Sequence, residues 1–185
     1  MVIHPLKQRM SKEEFLALPE GPPDYEFEQG EAILMVRPHA RHQKLVMRLG
    51  ATLDNHVSAQ HLGVVWIEID VLLTGDRIYI PDIVYLSPEH QDRYHEEDGK
   101  IHGAPDLVAE ILSPHSLARD RVVKFNAYFA AGVPWYWIVD PDALTIEEYH
   151  AEEKGYLRTA SVSEGETFQP GLFPGLEINL RDLLR

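Results

Sequence analysis

Cysteine is absent from the 185 residues of the chain. Disulfides are therefore excluded, as are zinc centres built on thiolates. Long apolar runs are missing too, and none approaches the roughly 18 residues a membrane-spanning helix needs. The opening segment M-V-I-H-P-L-K-Q-R-M lacks the apolar core of a secretory signal. These absences predict a cytoplasmic protein without a membrane partner. Positive charge is scarce: 17 Lys and Arg stand against 30 Asp and Glu, a formal net charge of −13. Such a chain repels nucleic acid unless its basic residues are concentrated locally or cations screen the contact. No internal repeat, Gly/Ser linker, GxGxxG, P-loop or nucleophile elbow occurs.

What is present is the composition of an ordinary globular protein, 44% hydrophobic and 25% charged. The length predicts one domain over residues 1–185, with the first ~10 residues as an extension. Ser11 and Glu14 form a capping-box pattern opening a short helix. Y-E-F-E and E-A-I-L-M-V around Gln29-Gly30 read as a hairpin. Leu45, Leu49 and Leu53 recur every four residues and predict a helix over 39–59. The runs V-V-W-I-E-I-D-V-L-L and R-I-Y-I-P-D-I-V-Y-L flank T-G-D and should pair antiparallel. Residues 87–103 are polar and read as an exposed loop; the histidines and acids of 90–98 fit no standard zinc spacing. D-L-V-A-E-I-L-S (106–113) reads as a strand, 117–131 as a helix closed by Gly132, and P-W-Y-W-I-V-D as a buried strand. Trp135 and Trp137 share a face of that strand by alternation and should pack under a helix. Two further strands and a short element ending in L-R-D-L-L complete the chain. The expected fold is mixed α+β, a central mixed sheet flanked by helices.

Two carboxylates sit awkwardly in apolar strands. Glu110 lies inside L-V-A-E-I-L, and Asp82 follows Pro81 inside I-Y-I-P-D-I-V-Y-L. An unpaired buried carboxylate is costly. Each acid taken alone fits a solvated or arginine-paired strand end; two acids converging on neighbouring strands fit a shared hard cation such as Mg²⁺ (or Mn²⁺).

Pro81-Asp82 followed by Glu110-Ile111-Leu112 resembles the motif of the PD-(D/E)XK nuclease superfamily, with leucine in place of its lysine. The segments Y-E-F-E-Q-G-E, P-D-I-V-Y-L-S, G-A-P-D-L-V-A-E-I-L-S-P, R-D-R-V-V-K, A-G-V-P-W-Y-W-I-V-D-P and F-P-G-L-E-I-N-L are similar, in order, to the Uma-type restriction endonuclease family. That resemblance implies a restriction-endonuclease-like core and Mg²⁺-dependent hydrolysis of DNA. It implies metal binding by Asp82, Glu110 and the main-chain carbonyl of Ile111. It also implies a lysine moved to the following helix, for which Lys124 is the candidate, and a homodimer that cuts both strands. Leu112 can neither orient water nor offset charge, so a catalytically weak or inactive DNA-binding or regulatory module on the same scaffold is the alternative. RNA as substrate stays open.

Lys124 also fits an ordinary surface pair with Asp120, four residues earlier. At about 100° per residue it lies roughly 140° from Phe129, off the apolar stripe of its helix. The resemblance also makes Glu26 and Glu31 candidates for a third acid, while each fits a solvated hairpin end as well. His42 projects near the Leu45–Leu49 face, where a satisfied core histidine is the ordinary reading; the resemblance, which includes a histidine at the start of this helix, makes it a candidate for phosphate contact or proton transfer. Residues 37–48 carry Arg37, Arg41, Lys44 and Arg48 without an acid. They form either a solvated helix face or a phosphate-contacting strip that Arg119 and Arg121 extend.

Overall fold

The computed structural model describes residues 7–19, 21–35, 39–114 and 116–185. The elements in order are β1 (Lys7–Arg9), α1 (Lys12–Leu16), β2 (Tyr25–Glu28), β3 (Glu31–Leu34), α2 (Ala40–Ala59), β4 (Val64–Ile67), β5 (Val71–Leu73), β6 (Arg77–Tyr79) and β7 (Ile83–Leu86). A 3-10 turn, Pro88–Arg93, leads to β8 (Tyr94–His95), β9 (Lys100–His102) and β10 (Leu107–Ile111). A π-helical turn, Arg119–Lys124, runs directly into α3 (Phe125–Ala131), followed by β11 (Trp135–Asp140), β12 (Thr145–Glu152), β13 (Gly155–Val162) and α4 (Leu180–Leu184).

The local signals act where the sequence places them. Ser11 Oγ accepts from the Glu14 amide while the Glu14 carboxylate accepts from the Ser11 amide, closing the capping box of α1. Gly132 ends α3 at φ 86°, a left-handed conformation that glycine adopts without steric cost.

The strands make two mixed sheets. The central one has the order β13-β12-β11-β10-β7-β4, with β10 and β11 parallel and the other neighbours antiparallel. The second has the order β1-β3-β2-β6-β5-β9-β8. Alternation along the central strands sorts side chains between two cores. Ile83, Tyr85, Leu107, Ala109, Ile111, Trp137 and Val139 meet Leu45, Leu49 and Leu53 of α2. Trp135 is partly buried against the same cluster, so the tryptophan pair does pack on the α2 side. Val84, Leu86, Val108, Leu112, Tyr136 and Ile138 face the other way, toward Ala127 and Tyr128 of α3 and Val71, Leu73 and Tyr79 of the second sheet. Each fully buried Leu or Ile contributes about 1.5–3 kcal/mol relative to exposure, so the two cores dominate the favourable side of folding.

Two expectations need correction. The long hairpin around T-G-D exists, but it is split between sheets. β5 and β6 pair in the second sheet, whereas β4 and β7 pair in the central one. The ribbon crosses over at Glu68, whose φ is 49°, and at the Ile80-Pro81-Asp82 bend opposite it, where the Glu68 amide donates to the Asp82 carbonyl. Proline supplies no amide for a ladder, so the strand breaks there. The supposed loop 87–103 is likewise structured: Ile101 is fully buried, and β9 pairs with β5 and β8.

Gly63 opens β4 at φ +133°, and a Cβ on it would lie 2.1 Å from the Leu86 carbonyl oxygen. Gly63→Ala is therefore expected to cost at least about 1–3 kcal/mol, measured by urea unfolding, because both backbone conformation and contact are violated. No helix of the described residues is long and apolar enough to cross a membrane.

Candidate active site

The β7–β10 ladder runs through Leu107↔Tyr85, Val108↔Val84 and Ala109↔Ile83, then stops. Continued by one step, its register sets Glu110 opposite Asp82 at the point where the strands part. The backbone groups released by the parting find carboxylates. Ile111 N–H donates to Asp82 Oδ2 at 2.6 Å, and Ile80 N–H donates to Glu26 Oε1 at 3.2 Å. Asp82 keeps some solvent access, with 14% of its side chain exposed, whereas Glu110 is buried.

Lys124 reaches this fork from the π turn. Its Nζ lies 2.7 Å from Glu26 Oε1, 2.9 Å from Glu110 Oε1 and 3.7 Å from Asp120 Oδ1, and its side chain is only 3% exposed. The 100°-per-residue wheel points it away from the apolar stripe, but a π turn takes more residues per revolution and rotates Lys124 relative to α3. The pair with Asp120 exists, but it is buried rather than on the surface. Tyr128 O–H donates to Glu110 Oε1 at 2.7 Å. Leu112 takes the position of the motif lysine and packs, buried, in the α3-side core.

Glu26 and Glu31 part company. Glu26 is fully buried and binds Lys124 and Arg119, while Glu31 pairs with Lys7 of β1 at 2.8 Å and takes no part in the cluster. Strand alternation puts Glu28 on the same side as Glu26. Arg119 clamps both, with NH1 2.8 Å from Glu28 Oε2 and NH2 3.0 Å from Glu26 Oε2. His42 is buried on α2 with Nε2 3.2 Å from Asp82 Oδ2, and its Nδ1 has no hydrogen-bond partner among the described residues.

Most of the basic residues of the candidate strip have partners of their own. Arg119 is committed to Glu26 and Glu28, and Arg121 to Glu147 at 2.6 Å. Lys44 donates to the Leu184 carbonyl of α4 at 2.8 Å, Arg41 approaches Asp142 at 3.8 Å, and Arg48 is exposed. Arg37 lies outside the described residues. Tyr128, Glu28 and Tyr79 join the site without having been named as site residues from sequence, and Asp120, read there only as a surface partner of Lys124, joins it too. Tyr79 O–H donates to Glu28 at 2.9 Å, and its ring faces Lys124 Nζ at 5.5 Å from the centroid. The Glu26-x-Glu28 alternation was the available signal for the second acid of β2.

Charge in the fork is unbalanced. Glu26, Glu28, Asp82, Glu110 and Asp120 surround two permanent cations, Lys124 and Arg119. Burial pushes Glu110 well above the ordinary carboxylate range; Lys124 pulls it back, while Asp120, Asp82 and Glu26 push it further up. Asp120 is raised by burial as well, against the pull of Lys124. Glu26 is also penalised by burial, but Lys124 and Arg119 outweigh that and leave its pKa lowered. For Lys124, burial disfavours the charge, yet Glu110, Glu26 and Asp120 hold its pKa well above normal. Burial likewise opposes charge on His42, and the Asp82 carboxylate overcomes it, raising the pKa.

The donor set fits a hard divalent cation. Asp82 Oδ1 and Glu110 Oε2 accept no hydrogen bond from any described residue, and buried Asp120 Oδ1 also lacks a hydrogen-bond partner. A cation there would offset the excess negative charge that raises Glu110. The titration has a testable sign. A carboxyl whose folded pKa is raised adds stability below the unfolded pKa and loses it as pH climbs through the folded value. Under chelation, Glu110→Gln should thus match or exceed wild type in Tm at neutral pH. That advantage should shrink as pH falls toward the ordinary carboxylate range, as read by calorimetric scans at several pH values.

A different cluster, His95, Asp98 and His102, is the one trio among the described residues whose donor atoms all lie within 4.8 Å of one another.

The architecture is that of a nuclease fold. The chain resembles the crystal structure of a “putative nuclease belonging to DUF820” from Anabaena variabilis, with a TM-score of 0.74, 24% identity, and coverage of 95% of this chain and 97% of that one. Residues 12–181 match Uma2, the family described as “Putative restriction endonuclease”, and the chain belongs to that family. No curated protein matches the sequence.

Proposed function

We propose that this protein is a Mg²⁺- or Mn²⁺-dependent endonuclease that hydrolyses DNA phosphodiester bonds with a water nucleophile. The observation that carries the reading is the parting of β7 and β10 at Asp82 and Glu110, with the Lys124 ammonium 2.9 Å from Glu110. Asp82, Glu110 and the Ile111 carbonyl would hold the cation. Such an ion polarises a phosphate oxygen and acidifies a bound water.

The remaining work falls to the side chains. Asp82 is aimed by the Ile111 amide and by His42, so its free oxygen is presented without rotamer search. Glu110 is aimed by Tyr128 and Lys124. Lys124 would orient the attacking water or offset charge developing on the phosphorane, in the role the motif lysine fills elsewhere. Glu26, through Lys124, and Arg119, through Glu26, position rather than touch substrate. The surrounding acids raise the electrostatic cost of bringing in a phosphodiester, and a bound divalent cation lowers it. Scission of both strands calls for two such sites, so we expect pairs of chains on DNA, to be read by sedimentation.

Leu112 favours a second reading, a DNA-binding module with weak or no catalysis. Supercoiled plasmid incubated with the protein separates the two. Nicked and linear products should form with Mg²⁺ or Mn²⁺, vanish with chelator and be absent for Glu110→Gln. DNA binding without cleavage under every metal condition would establish the second reading, and parallel RNA substrates decide the nucleic-acid class.

A further inference from the structure

The polar stretch 87–103 builds a site of different chemistry. His95 ends β8, Asp98 lies in the connecting turn, and His102 ends β9. One ligand atom from each falls within 4.8 Å of the other two. The imidazoles lie face to face, with centroids 4.0 Å apart and planes inclined by 11°. His102 Nε2 is 2.8 Å from Asp98 Oδ2, and the Lys100 amide donates to Asp98 Oδ1 at 3.2 Å, which fixes the carboxylate. A hydrogen-bonded His–Asp pair is ordinary on a hairpin, but it does not account for His95 stacked beside it. Neutral imidazole is the metal-binding form of histidine.

The surroundings suit a cation. Asp92, Glu96 and Glu97 join His95 and Asp98 around an open depression of about 780 Å³. The two basic side chains nearest in sequence are engaged elsewhere: Lys100 pairs with Asp70, and Arg93 donates to the Ala104 carbonyl. The scaffold is firm, because β9 is held by β5 on one side and β8 on the other, with Ile101 in the core.

We propose that His95, Asp98 and His102 bind a divalent transition-metal ion, Zn²⁺ being the best match, through two imidazole nitrogens and one carboxylate oxygen. Imidazole selects zinc and its neighbours over Mg²⁺, and three protein donors leave a position for water. The site is thus chemically distinct from the all-oxygen fork at Asp82 and Glu110. The ion ties β8 to β9 across their turn and braces β8, the edge strand of the seven-stranded sheet.

The test is calorimetric titration of Zn²⁺ into the full chain, stripped with chelator and held in excess Mg²⁺ to occupy oxygen-donor sites. One Zn²⁺ per chain is expected, accompanied by a rise in Tm. His95→Ala and His102→Ala should each weaken binding by more than about tenfold, since even partners outside the coordination sphere cost 10–100-fold. Asp98→Asn should weaken it less. The three side chains are at least partly exposed, and the metal-free Tm of each variant verifies its fold; if one variant misfolds, the other two decide. Absence of Zn²⁺ binding to wild type, or unchanged affinity in the folded variants, overturns the proposal.

Discussion

Lys124→Ala should destabilise the protein by about 3–5 kcal/mol, the usual cost of removing one partner from a buried ion pair. The ammonium is buried and touches Glu26 and Glu110 within hydrogen-bond distance, with Asp120 just beyond. Its removal leaves three buried carboxyl groups with Arg119 as the only nearby guanidinium among the described residues. Those groups can respond by taking up protons, so the cost should grow with pH. Lys124→Met keeps most of the packed stem and should lose nearly as much, because charge rather than volume is missing. Urea unfolding under chelation at several pH values measures both. A loss below about 1 kcal/mol would mean the site behaves like a solvated surface pair.

The second large effect is on chemistry rather than on folding. Asp82→Asn retains an oxygen that can accept from the Ile111 amide, so the bend at Ile80-Pro81-Asp82 should survive and Tm should change little. Cleavage should fall by more than about 100-fold, since partners outside a metal's coordination sphere already cost 10–100-fold and a ligand must exceed them. Glu31→Gln is the matched control: its carboxylate pairs with Lys7, away from the fork, and plasmid nicking should be unchanged. Equal activity in Asp82→Asn and wild type would remove Asp82 from the mechanism.

Much of the fold was legible in the sequence wherever a local rule acts alone. The capping box at Ser11, the α2 leucine repeat and the Gly132 stop all express short-range physics. Asp82 and Glu110 stood out because carboxylates inside apolar strands need a reason to be there. The misreadings come from tertiary context. Alternation cannot reveal that a ribbon changes sheets, so the Glu68 and Pro81 crossover read as two continuous strands. A helical wheel assumes one pitch, and the π turn from Arg119 to Lys124 broke that assumption at the residue that mattered. Glu26 and Glu31 flank one turn equally in sequence, and only the pairing of β2 with β6 separates them. Arg119 and Arg121 looked like free cations because their acidic partners, Glu26, Glu28 and Glu147, are distant in the chain.

Lys124→Arg separates the two roles open to Lys124. A lysine serving only to neutralise Glu26 and Glu110 would be sensitive in stability alone. A lysine that also assists attack on phosphate should show a kcat loss in Lys124→Arg, which keeps the charge but not the compact ammonium. The Tyr128 hydroxyl, whose pKa burial drives well above normal, remains a neutral donor to Glu110 throughout the working range.

In the proposed site, one cation joins Asp82 to Glu110. Anomalous diffraction from crystals grown with Mn²⁺ tests it directly. A manganese peak in contact with carboxylate oxygens of both residues is expected, lost in crystals of Glu110→Gln. Manganese found only at His95, Asp98 and His102, with none between the parted strands, would contradict it.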